Sequence, residues 1–426
     1  MKYLLSLFLI MAIFFTACYQ EESNKYTHQA DSLNFTKTEV SNGVVFNWEE
    51  AKMLNFTEYI ITKHPNSTPA ITSIEDLDKL SPSNIVARIK SRQSNSAKDS
   101  TSNVKTYYRL YVVSRSKVYA SDEIVQNSNF YVLQEQKIIQ ILVDKKKGRL
   151  YLFYSTNALE IIDLKKMQQI ALFDNTVIFS NYNMSLGYDQ SGNTELYSSK
   201  ADRILVIDGE NLRVKETIYN TPKGKSIYNT VTDENSNIFF VESDSISKYD
   251  PLAKKISKLE FNKSYLNNIR VTKDGRNVFT GSILSNIYHY TIDQSNGTVS
   301  YKSSPSLIDF SNSEIANFES TIICGANGTI LTMDFEVKKN LANEVGKYIK
   351  SIFDENDKII YSIGSSSSFV YKFENKAGFK NIENIPIRSL PSNIFFYDGK
   401  LFTIGLSVNF SMGVSKYVLQ RILIQE

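Results

Sequence analysis

Histidine occurs three times, cysteine twice and tryptophan once in 426 residues, and each scarcity removes a class of function. A single histidine, His289, lies in the back two-thirds of the chain, so no multi-histidine metal centre can be assembled there. Two cysteines, Cys18 and Cys324, are too few for the disulfide framework of a small secreted fold. An excess of one charge is missing too: the formal net charge is +3, which argues against a nucleic-acid partner or adsorption to an anionic surface. Long alanine- or leucine-rich windows of helical period are lacking. So are a Gly-x-Ser-x-Gly elbow, calcium loops of the Asp-x-Asp-x-Asp-Gly kind and phosphate-cradling glycine loops. No catalytic residue, metal site or cofactor is assigned on these grounds.

What is abundant is tyrosine and phenylalanine, 26 and 25 residues, a bias toward strands rather than helices. At the N-terminus Lys2 precedes an apolar run from Tyr3 to Phe15, too short for a permanent span and suited to a signal-peptide core. The run ends in Phe15-Thr16-Ala17-Cys18, which resembles the lipobox of bacterial lipoproteins, with Phe15 where leucine is usual. That resemblance implies removal of residues 1–17, acylation of Cys18, and a membrane partner reached through the lipid. The expected location is the outer membrane, on its periplasmic or cell-surface side. Residues 18–31 then form a polar tether, in which Glu21 and Glu22 resemble the surface-export signal of some Gram-negative lipoproteins.

Residues 32–126 read as one small β domain. After a turn at Asn42-Gly43, alternation along Val44-Val45-Phe46-Asn47-Trp48 puts Val44, Phe46 and Trp48 on one face, which should be core. Further strands are expected at Leu33–Phe35, Tyr59–Thr62, Tyr107–Ser114 and Ala120–Val125, with an irregular polar stretch over Thr68–Ser102. A lone tryptophan on the second strand and a tyrosine-rich penultimate strand resemble an Ig-like, fibronectin type III sandwich, a spacer or docking module.

From residue 129 to 426 the chain repeats. Turns recur at Asp144–Gly148, Asp189–Gly192, Asp233–Asn237, Asp274-Gly275, a degenerate site near Asn317, Asp354–Asp357 and Asp398-Gly399. Small residues close the second strand of each unit: Ser155, Ser199, Ser243, Gly281, Gly325, Gly364 and Gly405. The mean spacing of about 42 residues fits four-stranded propeller blades, whereas separate sandwiches need about 90. Seven turns imply a seven-bladed β-propeller in an all-β chain, with residues 129–134 supplying the fourth strand of the last blade so that no sheet edge is left open. Ala201–Ile218 and Val271–Phe279 resemble YVTN-type repeats. The recurring turn aspartates are expected to be turn-formers, and Cys324, between Ile323 and Gly325, a small core residue.

At the start of three successive inner strands the chain places Asn181-Tyr182-Asn183, Tyr228-Asn229 and Tyr265-Leu266-Asn267-Asn268. Tyrosine offers a flat apolar face with a polar tip, and asparagine both donor and acceptor. Tyr182, Asn183, Tyr228, Asn229, Tyr265, Asn267 and Asn268 are therefore the candidate ligand-binding residues for a glycan, peptide or protein partner on the propeller face. Asp31-Ser32-Leu33, Asp99-Ser100-Thr101 and Asp244-Ser245-Ile246 resemble an O-glycosylation tripeptide of some secreted Gram-negative proteins. Three readings stay open: a surface-anchored binding or scaffolding protein, a structural subunit of an outer-membrane assembly, and a propeller lyase or hydrolase.

Overall fold

The computed structural model describes residues 34–40, 43–53, 55–100, 105–126, 129–134, 137–174, 184–219, 226–242, 245–261, 268–281, 285–293, 295, 297–316, 321–387, 389–407 and 416–422. The signal run, Cys18 and the tether lie outside these residues. Among the described residues strands dominate, and the two short α-helices, Ile74–Asp78 and Ala342–Val345, are each little more than a turn. No helix among the described residues is long and apolar enough to cross a membrane. The chain divides into two compact units, the second running from Tyr131 to Ile422.

In the first unit, β1 (Thr36–Val40), β2 (Gly43–Asn47) and β5 (Ser96–Asp99) form one sheet, in the order β1-β2-β5. A second sheet holds β4 (Ile85–Ile89), β3 (Phe56–His64), β6 (Thr106–Ser114) and β7 (Val118–Ala120), with β8 (Ile124–Gln126) also on β6. Val44, Phe46 and Trp48 share one buried cluster with Tyr59, Ile61, Tyr108, Leu110 and Val112, so the two sheets close on a common core. Trp48 is 4% exposed, as the alternation required.

Three expectations differ from the strand bounds. The stretch Thr68–Ser102 is not irregular: it carries the Ile74–Asp78 helix, β4 and β5. Ser73 caps that helix by accepting from the Asp76 backbone N–H at 3.1 Å, and Leu77 joins Ile60, Tyr111 and Val113 in a second cluster, so the outer face of the larger sheet is covered as well. The closing strand is in fact two short ones, β7 and β8, interrupted at Ser121, whose hydroxyl accepts from the Leu110 backbone N–H. The first strand also begins later than Leu33–Phe35, at Thr36.

The second unit contains, among the described residues, seven four-stranded antiparallel sheets in chain order, designated I to VII. Their first strands are Ile138–Asp144, Met184–Tyr188, Ile227–Thr232, Asn268–Val271, Glu314–Ile315, Tyr348–Phe353 and Ser389–Tyr397. First strands of successive sheets approach one another and therefore lie innermost. Sheets I to VI take all four strands from one continuous segment. Sheet VII takes three from the C-terminal end, and its fourth is β9 (Phe130–Val132), from just ahead of sheet I.

Why these segments stack rather than fold alone is visible in the second strands. In Arg149–Tyr154, Leu150, Leu152 and Tyr154 face a cluster shared with Phe395, Phe402 and Leu419 of sheet VII. The intervening Tyr151 and Phe153 face Met184, Leu196 and Ile207 of sheet II. Period-two alternation thus points apolar groups to both faces, and each face needs a neighbouring sheet to cover it. Similar shared clusters join II to III, III to IV, IV to V and V to VI. Between VI and VII, Tyr361 stacks on Phe396 at 5.9 Å. Sheet VII therefore packs against both VI and I, in a propeller-like arrangement. Close approach explains Gly405: a Cβ there would lie 2.2 Å from the Leu390 carbonyl oxygen.

Three of the turn aspartates accept backbone N–H groups of their own turns. Asp189 Oδ1 accepts from the backbone N–H of Ser191 and Asn193, Asp233 Oδ1 from Asn235 and Asn237, and Asp354 Oδ1 from Lys358 and Ile359. The degenerate turn near Asn317 and the small residue Ser243 lie outside the described residues.

Candidate functional site

Of the seven rim residues singled out from sequence, Tyr182, Asn183, Tyr265 and Asn267 lie outside the described residues. Tyr228 and Asn229 stand near the start of the innermost strand of sheet III. The register slips between Ile227 and Asn229, and Tyr228 sits in that slip, 38% exposed. Asn268 begins the innermost strand of sheet IV opposite Gly281 and is half-buried.

Among the described residues no group of three or more His, Cys, Asp or Glu side chains could hold a metal ion. His289 is built into the sheet: its ring stacks on Phe279 at 4.3 Å and Nε2 bonds to Asn277 Oδ1 at 2.9 Å. Burial, with the Lys302 ammonium adding to it, pushes its pKa down to about 4, so the ring is neutral at physiological pH. Cys324 is fully buried in the cluster between sheets IV and V, and burial pushes its thiol up to about 12. Ser245, in one of the glycosylation-like tripeptides, is buried and donates to Glu242 Oε2 at 2.8 Å, which leaves it inaccessible in the folded chain.

A cleft of about 360 Å³ opens at the other end of the strands, on the side of the Asp turns and between sheets II and III. Its floor is set by sequence. Gly187 has no Cβ, and one there would lie 2.7 Å from the Tyr197 ring, so that ring can lie flat across the strand. Ser236, in the turn after the innermost strand of sheet III, accepts from the Tyr188 backbone N–H at 2.8 Å and ties the two sheets at the cleft base. Tyr188, Tyr249, Pro251 and Leu252 form the apolar walls, and Leu252 is 70% exposed at the mouth.

The polar groups are fixed in place. Lys215 Nζ bridges Glu195 Oε1 at 2.6 Å and Asp189 Oδ2 at 3.1 Å. The Tyr197 hydroxyl donates to Glu195 Oε2 at 2.9 Å, and the Tyr188 hydroxyl to Asp144 Oδ1 at 2.9 Å. Lys146 Nζ lies 3.9 Å above the Tyr188 ring. Burial works to raise the Asp189 pKa, but the Asn193 backbone and side-chain amides and the Lys215 ammonium outweigh it and hold it at about 2. Tyr188 and Tyr197 are driven well above the usual phenol range, by burial first and then by the Asp144 and Glu195 carboxylates. Around the opening stand Asp189, Glu195, Glu216 and Glu234 against Lys146 and Lys215, a negative balance that favours a cationic group.

No family model matches the chain. No curated protein matches it either. Among solved structures it is similar to WD40-type β-propellers. One is the Cps50 (Swd1) β-propeller domain of Myceliophteria thermophila, with a TM-score of 0.48 and 11% identity over 68% of this chain and 98% of that one. Another is the WD40 repeats of RRP9, with a TM-score of 0.48 and 11% identity over 68% of this chain and 97% of that one.

The cleft was not found by reading the sequence. Tyr188-Asp189 and Tyr249-Asp250-Pro251-Leu252 carry the only local signal: an aromatic directly before a turn in two neighbouring repeats, the second followed by an exposed apolar pair.

Proposed function

We propose that this chain is a non-catalytic, lipid-anchored binding protein of the bacterial envelope that holds an extended segment of a partner protein in the cleft between sheets II and III. In this reading Cys18 carries the lipid and places the chain on the outer membrane, facing the periplasm or the cell exterior. Sheets I to VII are the blades of a seven-bladed propeller, and the N-terminal unit is a fibronectin type III-like spacer. The β1-β2-β5 and β4-β3-β6-β7 sheet orders support the spacer assignment. The shared clusters running from I through VI, with those joining VII to I, support the ring.

The observation that carries the functional reading is the cleft itself: aromatic walls, an exposed Leu252, and carboxylates in excess at the opening. Such a surface fits a segment with a lysine or arginine beside an apolar side chain. Tyr228, Asn229 and Asn268 mark an alternative surface at the opposite strand ends, where tyrosine with asparagine suits a glycan; the exposed Tyr228 favours it.

The full chain exposed to peptide and glycan arrays separates the two. Basic-apolar peptides are expected to bind, with a loss of roughly tenfold or more for Leu252→Asp and no change for Tyr228→Ala. Retention of glycans alone, lost in Tyr228→Ala, would move the site to the rim. Peptide binding indifferent to Leu252→Asp would remove the cleft from the account.

A further inference from the structure

The innermost strands of sheets IV to VI carry two cations, Arg270 and Lys350, against one carboxylate, Glu314. Arg270, on the innermost strand of sheet IV, donates from Nε to the Ser313 carbonyl at 2.9 Å and from Nη1 to the Ile269 carbonyl at 2.8 Å. Lys350, on the innermost strand of sheet VI, donates from Nζ to Asn393 Oδ1 at 3.2 Å. All three acceptors are neutral, and among the described residues no carboxylate forms an ion pair with either cation. Glu314, on the strand between them, acts on both only through its field.

Lys350 and Arg270 are enclosed by protein yet still reached by water, which marks them as lumen-lining rather than core groups. Enclosure disfavours the charge on each, the Glu314 carboxylate favours it on both without offsetting that, and Arg270 disfavours it on Lys350. A desolvated cation bonded only to neutral oxygens is costly unless an anion joins it.

Room for such an anion exists. A cavity of about 370 Å³ borders Lys350 and is lined by Lys137, Gln140, Ser392, Asn393 and Tyr417, with no carboxylate on its wall. Gln140 is fully used, since its amide both donates to and accepts from the Met184 backbone, at 2.6 and 3.1 Å. The Ser392 hydroxyl is committed to the Ile404 carbonyl at 3.1 Å. Able to donate to a guest are the two ammonium groups, the Asn393 amide nitrogen and the Tyr417 hydroxyl. Two ammonium groups and no carboxylate on a wall otherwise made of neutral polar groups and isoleucines match an anionic acceptor.

We propose that this luminal cavity is an anion-binding site taking a compact oxyanion, a carboxylate or phosphate group on a small molecule, held by Lys350 with Lys137, Asn393 and Tyr417. Nothing in this depends on the cleft between sheets II and III, which opens elsewhere on the same unit.

The test is calorimetric titration of the full chain with inorganic phosphate and with malonate, each against chloride at matched ionic strength. Saturable binding of phosphate, malonate or both is expected, and which probe binds identifies the group preferred. Lys350→Gln should weaken that binding roughly tenfold or more, by loss of a charge-assisted contact. Asn393→Asp supplies an internal anion beside Lys350, so it should abolish the binding and raise the thermal midpoint. That second result also guards against a variant that merely misfolds. Heat no greater than that of chloride for both probes, or undiminished binding in Asn393→Asp, would overturn the proposal.

Discussion

The Tyr131 hydroxyl donates to Glu160 Oε1 at 2.5 Å, joining the segment that supplies β9 to the third strand of sheet I. Glu160 is fully buried, and its other oxygen accepts from the Tyr154 hydroxyl and from the Gln134 backbone N–H. One carboxylate thus holds three donors where the first repeat begins. Removing it strands the buried Tyr154 hydroxyl, while the half-buried Tyr131 hydroxyl keeps Gln169 Oε1 at 3.2 Å. Glu160→Ala is therefore expected to cost about 3 kcal/mol, and Tyr131→Phe about 1 kcal/mol, in urea unfolding monitored by circular dichroism. Equal and negligible costs would mean that this junction does not hold the segment.

His289 makes stability depend on pH in a defined window. Its folded pKa of about 4 lies below the ordinary 6.5, so the unfolded chain takes up this proton first as the pH falls. Stability from this group is complete above pH 6.5, declines as the pH drops from there, and is lost by about pH 4. The whole effect is about 3 kcal/mol at most. Replacing the ring by His289→Gln should flatten the dependence of unfolding free energy across that interval. A variant as steep as the wild type would place the titration elsewhere.

The two cysteines allow the proposed anchor to be counted. Cys324 is fully buried, with a thiol pushed up to about 12, and should not react with a chromogenic disulfide reagent at pH 8 in the folded protein. After denaturation, protein recovered from membranes should show one reactive thiol if Cys18 is acylated. Two would contradict the lipid anchor, and a native-state reaction at Cys324 would contradict its burial.

The parts of the fold that could be read from the chain are those fixed by local chemistry. Asp189, Asp233 and Asp354 announce turns because a carboxylate can accept backbone N–H groups two to five residues on, whatever the rest of the molecule does. Leu150 to Tyr154 announce a strand buried on both faces because no polar residue interrupts them. The short helix Ile74–Asp78 escaped notice because five residues are too few to display a helical period.

Contacts made across seams were also silent. Tyr188 and Tyr249 meet only because sheets II and III pack together, and the register of one strand does not say which neighbour it will face. Glu160 reads as an ordinary charge in Leu159–Asp163, and its three donors come from separate segments. The same holds for Lys350, whose bond to Asn393 of sheet VII appears only once the innermost strands of neighbouring sheets pack together.

Sheet VII is completed by a strand from ahead of sheet I, and amide hydrogen exchange resolved at Leu133 tests this most directly. The Leu133 N–H donates to the Tyr417 carbonyl at 3.0 Å, and its side chain lies in the cluster joining sheets VII and I. Its exchange should be slowed to the level of the Leu401 to Ile404 amides in the middle of sheet VII, and should collapse together with them on unfolding. Exchange at the rate of an unstructured amide while Leu401 to Ile404 stay protected would show that the ends are not joined.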